Sequence, residues 1–157
     1  MVRGMVFASL AVVFSLAVGA ATASATDLID ATDPDEIVNV ARGYGAATLG
    51  VDSVGDPQVT GRIDGNAYTI FFYGCTDGRD CTSLQFSSGW ISDRVDMAMI
   101  NMWNRENRFS RAYLDDDDDP IIEMDVNMEF GVSRRNFDDT FGVWSAVLSS
   151  FARHIDP

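Results

Sequence analysis

The chain has 157 residues, 46% of them apolar, and a formal charge of −13 at pH 7 from 24 acidic and 11 basic side chains. A surface that acidic repels phosphate backbones, and no basic stripe offsets it, so nucleic acid and anionic lipid are poor partners for this chain.

In chain order, Met1-Val2-Arg3 is a short basic start, Val6 to Gly19 is an almost unbroken apolar run, and Ala23-Ser24-Ala25 is a small-residue cleavage site. A secretory signal peptide needs those three parts in that order: a basic anchor, an apolar span and a site open to the peptidase. The run is shorter than the roughly 18 apolar residues of a spanning helix. The expectation is a leader over residues 1–25, a mature chain from Thr26 with no membrane span, and a periplasmic or secreted location. Arg3 leaves with the leader, so the mature chain is more acidic by one charge. Residues 26–157 suffice for one domain with one sizeable core and are too few for two.

Asp33-Pro34-Asp35-Glu36 opens a helix, with Asp33 as its cap and Pro34 in its first turn. Glu36, three residues after the cap, adds a capping box. Ile37, Val40, Ala41 and Tyr44 then recur at helical spacing, and Gly43 or Gly45 can stop the run. A hairpin follows. Val59, Gly61 and Ile63 alternate with polar residues, Asp64-Gly65 supplies a two-residue turn, and Tyr68, Ile70 and Phe72 alternate on the return. The register that keeps one apolar face sets Ile63 opposite Asn66, Gly61 opposite Tyr68 and Val59 opposite Ile70.

Cys75 and Cys81 enclose Thr76-Asp77-Gly78-Arg79-Asp80. Two cysteines in an oxidising compartment, flanking a Gly/Asp loop between strands, predict one disulfide. A metal pair or redox couple would ask for C-x-x-C or a four-ligand set. A third strand places Thr82, Leu84 and Phe86 on one side and Ser83, Gln85 and Ser87 on the other.

Ser92 can cap a second helix reaching about Arg105, with Val95, Ala98, Met99, Met102 and Trp103 as its core stripe. Met97 and Ile100 fall on the opposite face. Either another element covers them or they form a partner surface, for which flexible methionine is suited. Strands over Arg111–Asp115 and Ile121–Met128 come next, the latter with Ile122, Met124, Val126 and Met128 inward and Glu123, Asp125 and Asn127 outward. Between them, Asp115, Asp116, Asp117, Asp118 and Asp119 form a run of like charges expected as a solvated hairpin loop. Hard cations take oxygen ligands, so the run is also a weak candidate metal site, but it lacks the calcium-loop pattern. The last helix carries Phe137, Phe141, Trp144, Leu148, Phe151 and Ile155 as one apolar stripe. Asp138 and Asp139 are expected in its first turn, and Arg153 and His154 in its last, where the helix dipole favours cations. His154 is expected as a solvated charge.

The order α-β-β-β-α-β-β-α predicts an α+β domain with helices packed on an antiparallel sheet. Along Ile63-Asp64-Gly65-Asn66-Ala67-Tyr68, Phe72-Tyr73-Gly74-Cys75, Leu84-Gln85-Phe86, Trp103-Asn104-Arg105, Arg108-Phe109 and Ala112-Tyr113 the chain resembles the YbjN-like family of bacterial domains, described as regulators of sensory transduction. The resemblance implies a fold like that of type III secretion chaperones and no reaction or catalytic residues. The leader and the cysteine pair set this chain apart from cytoplasmic members.

The chemistry of the residues agrees. A serine triad needs a histidine beside its nucleophile, and the only histidine lies three residues from the end. No nucleophile elbow, zinc-protease, P-loop or dinucleotide pattern occurs. The expectation is a non-enzymatic protein-binding or chaperone-like, regulatory module without a cofactor, whose partner is another exported protein or peptide. The alternatives are a hydrolase using paired carboxylates and a cation-binding protein using the aspartate run.

Overall fold

The structure is a computed structural model that describes Met1 and residues 28–156. The leader and its cleavage site, Met1 apart, lie outside the described residues. Asp33 caps α1 (Pro34–Arg42) as its place before Pro34 predicts: its Oδ1 accepts from Asp35 N at 3.1 Å and Glu36 N at 3.2 Å. Glu36 does not fold back to complete a capping box. It reaches Arg134 at 2.6 Å, the first residue of α3 (Arg134–Ile155), and so ties the two helices across 98 residues of sequence.

Six strands form one antiparallel sheet: β2 (Ala46–Val51), β3 (Pro57–Ile63), β4 (Asn66–Tyr73), β5 (Ser83–Gly89), β6 (Arg111–Leu114) and β7 (Pro120–Asn127), in the order β2-β3-β4-β5-β7-β6. The β3–β4 register is the predicted one, with Ile63↔Asn66, Gly61↔Tyr68 and Val59↔Ile70. Asp64 and Gly65 both take positive φ, 49° and 87°, as a tight hairpin turn matching the strand twist requires. Two short strands, β1 (Leu28–Ile29) and β8 (Val132–Ser133), pair separately and hold the start of the described domain against the start of α3. Neither these two strands nor β2 is announced by local pattern.

One face of the sheet carries the core. Val59, Ile70, Phe72, Leu84, Phe86 and Ile122 are buried there, under Phe137, Phe141, Trp144, Leu148, Phe151 and Ile155, the predicted stripe of α3. Gly61 makes room at its place, since a Cβ would lie 2.5 Å from the Tyr68 hydroxyl that crosses it and would force that ring to shift. That hydroxyl and Trp144 Nε1 are buried without a hydrogen-bond partner among the described residues, and burial pushes the Tyr68 hydroxyl up to about 12.

Four expectations about the helices are corrected. The last helix starts a turn early: Ser133 Oγ accepts from Asn136 N at 3.2 Å, and the first turn holds Arg134 and Arg135 rather than Asp138 and Asp139. His154 is not a solvated charge. Its Nε2 lies 3.0 Å from Met99 O, and its ring packs by Trp103 and Phe151, joining α3 to α2 (Met97–Glu106). The cap of α2 is Asp96, not Ser92, with Met99 N donating to its Oδ1 at 2.9 Å. The buried positions of α2 are Ile100 and Trp103, while Ala98 and Met102 are exposed. No helix among the described residues is long and apolar enough to cross a membrane.

Candidate functional site: a cleft beside the aspartate loop

Three segments converge at one end of the sheet: the connector Trp90–Asp96 between β5 and α2, the first turn of α2, and the Asp115–Asp119 loop between β6 and β7. The loop is ordered by its own chemistry. Asp115 N donates to Asp119 O at 3.0 Å, and Asp115 Oδ1 accepts from Asp117 N at 3.0 Å and Asp119 N at 2.9 Å. An aspartate that answers its own loop's N–H groups closes a turn without help from outside. Asp119 Oδ1 then accepts from Ser92 N at 2.9 Å, and Trp90 N donates to Pro120 O at 3.2 Å, which fastens loop to connector. The run is thus the predicted hairpin loop, but two of its five carboxylates are structural and only Asp116, Asp117 and Asp118 are exposed.

The resulting cleft, about 600 Å³, is lined by Ile91, Val95, Met97 and Leu114 on its apolar side and by Asp93, Asp96, Asp117, Asp118 and Asp119 on its acidic side. Met97, a predicted surface residue, is 53% exposed here. Its predicted companion Ile100 is not part of any surface. At 1% exposure it belongs to the core: with the cap at Asp96, Val95 precedes the helix, and the buried face of α2 is the one that carries Ile100 and Trp103. The second apolar residue of the cleft is instead Ile91, 96% exposed. It stands on a ridge whose other side is a second cleft of about 680 Å³ containing Asp64, Asn66, Trp90, Arg94, Arg153 and Asp156. Sequence pattern missed Ile91 because it lies in an aperiodic connector.

The remaining candidates sit elsewhere. Cys75 and Cys81 are bonded, closing the β4–β5 loop as predicted. On the sheet face away from the helices, Glu123 is expected outward but is only 6% exposed. Arg111 Nη2 donates to its Oε2 and Tyr113 OH to its Oε1 at 2.9 Å. Burial and the Glu123 carboxylate push the Tyr113 hydroxyl up to about 12. Nearby, Gln85 Nε2 donates to Asp125 Oδ1 at 2.9 Å and Tyr73 OH to Gln85 Oε1 at 3.3 Å. The one buried carboxylate among the described residues therefore has both oxygens engaged. Among the described residues, no three His, Cys, Asp or Glu side chains gather as a metal would need.

No curated protein and no solved structure matches the chain. Residues 33–157, from the cap of α1 through α3, match the profile of the YbjN family, described as "Putative bacterial sensory transduction regulator", and the chain belongs to that family.

Proposed function

We propose that this protein is a non-enzymatic binding module, exported from the cytoplasm, that takes an apolar segment flanked by basic residues from another exported protein into the cleft beside the aspartate loop. The observation that carries the reading is the pairing of Ile91, 96% exposed, and Met97, 53% exposed, with an acidic rim in one concavity. Large exposed apolar side chains rimmed by charge are the ordinary marks of a protein-binding surface. Methionine adapts to varied side chains. The carboxylates would steer a basic partner and fix its register more than they add to its affinity. Family membership supports a binding or regulatory role, and the disulfide is compatible with an oxidising compartment. The engaged oxygens of Glu123 remove that residue from the candidates for a carboxylate hydrolase, since general acid–base work needs a proton site open to substrate.

Titration of labelled amphipathic peptides tests this. A Leu/Arg peptide should bind and lose affinity with rising salt, as exposed charges do, whereas a Leu/Glu peptide of equal hydropathy should not. Ile91→Glu with Met97→Glu should weaken the Leu/Arg peptide about tenfold or more, the effect of losing two apolar contacts, at an unchanged melting temperature. Equal binding of both peptides, or full binding by the folded double variant, would reject the cleft as the site.

A further inference from the structure

Among the described residues β2 and β6 are the edge strands of the sheet, and the two edges differ. In β6, Asp115 N bonds to Asp119 O, and with Tyr113↔Ile121 and Arg111↔Glu123 in the same phase, Ala112 directs its N–H and C=O out of the sheet. Asn104 takes both: Ala112 N donates to its Oδ1 at 2.8 Å, and its Nδ2 donates to Ala112 O at 2.9 Å. In β2, Asp52 N bonds to Asp56 O at 2.9 Å. The pairs Gly50↔Gln58, Thr48↔Thr60 and Ala46↔Arg62 share that phase, so Ala47, Leu49 and Val51 point their backbone groups outward. Among the described residues, the one side chain that answers them is Arg42, whose Nε donates to Ala47 O at 3.3 Å.

Nothing else protects this edge among the described residues. Residues 46–51 contain no charge and no proline, and their register with β3 runs without a bulge, so the usual devices against edge pairing are missing. Val51 is 70% exposed. The strand is also electrically polar along its length. Arg42 and Arg62 lie at its N-terminal end, Asp52 and Asp56 at its C-terminal end.

We infer that β2 pairs antiparallel with β2 of a second copy of this chain, Leu49 lying on the two-fold axis. In that register Ala47 faces Val51 of the second copy and Ala46 faces its Asp52, which brings Arg42, already seated at Ala47 O, beside the opposing carboxylate. Symmetry makes the contact twice. A parallel pairing would set like charges together at both ends. The edge lies across the sheet from the acidic cleft, so the dimer leaves both clefts open. Six residues per strand make a small interface, and the dimer is weak and reversible.

Sedimentation equilibrium over a concentration series decides it, with melting temperature as the control for folding. Val51→Glu puts a carboxylate beside the second copy's Arg42 and should tighten the dimer about fivefold; Val51→Lys should loosen it by a similar factor, since a surface ion pair is worth a few tenths to one kcal/mol and counts twice here. Leu49→Pro deletes an outward N–H and leaves the β3 ladder intact, so it should give a folded monomer. Val51→Glu raises the net negative charge and would loosen a dimer formed through any other surface. A chain monomeric up to about 1 mM, the weak end of specific association, a dimer indifferent to both Val51 variants, or one weakened by both, overturns the proposal.

Discussion

The two faces of the sheet are held by different physics. On the helix face, apolar side chains of β3, β4, β5 and β7 meet α3, and ring contacts such as Phe86–Phe141, with centroids 5.1 Å apart and planes at 79°, pack edge to face. On the bare face, a carboxylate and an amide are buried by their cross-strand neighbours and kept there by hydrogen bonds. The first face tolerates an unanswered donor at Tyr68, because the apolar area around it outweighs the cost. The second stands only while every polar atom has its partner.

The largest test of that contrast is Phe141→Ala. It removes a fully buried ring that contacts Tyr44, Tyr68, Phe86 and Phe137 and should cost about 3–5 kcal/mol in chemical denaturation, the range for large cavities in a core. Next is a pair of matched hydroxyl deletions with opposite signs. Tyr113→Phe breaks the bond to Glu123 and should cost about 1 kcal/mol, whereas Tyr68→Phe removes an orphan hydroxyl and should be neutral or stabilising by up to about 1 kcal/mol. Equal effects at both positions would erase the distinction between the faces.

Both hydroxyls also predict an alkaline limit. Each is raised from its ordinary value of 10.0 to about 12, so each is harder to ionise folded than unfolded. Neither costs stability by ionising below pH 10, but as pH climbs towards 12 the unfolded chain ionises first and the folded state loses ground. Tyrosinate absorbance followed together with circular dichroism should show ionisation and unfolding arriving together, and each Phe variant should flatten the decline. The smallest effect belongs to neither face. Asp116→Asn with Asp117→Asn, in the exposed part of the aspartate loop, should leave stability within about 0.5 kcal/mol or raise it slightly by relieving repulsion.

What could be read from sequence follows the range of the interaction responsible. The β3–β4 hairpin was legible to the residue because a two-residue turn and two alternating strands fix register within a dozen positions. The stripe of α3 was legible because its period persists from Phe137 to Ile155, about five turns. β2 was not: Ala46-Ala47-Thr48-Leu49-Gly50-Val51 has weak alternation and two small residues, and it is a strand because β3 offers it an edge. Glu123 was read as outward from alternation alone, correctly for the face but not for burial, which comes from Arg111 and Tyr113 on a neighbouring strand. At the candidate site, Met97 and the aspartate loop were visible as exposed features. Ile100 carries the opposite expectation because Ser92 and Asp96 both satisfy the rules for a cap: a start at Ser92 counts Val95 into the apolar stripe, whereas with the cap at Asp96 Val95 lies before the helix, and Ile100 and Trp103 form the buried face. Ile91 carries no periodic signal at all.

The strand order has a consequence for how the chain must be handled before it is complete. Strands β2 to β5 form a meander that can assemble as the chain emerges, yet β5 is completed by β7, with Gly89 waiting for Ile121 and Ser83 for Asn127. Until the whole of α2, β6 and the aspartate loop has arrived, β5 is a terminal strand holding Leu84 and Phe86 without the α3 stripe to cover them. Vectorial emergence therefore passes through a half-sheet with a sticky rim, the species most prone to pair with a stranger. A chain threaded from its N-terminus would be safest if its last segment followed without a pause.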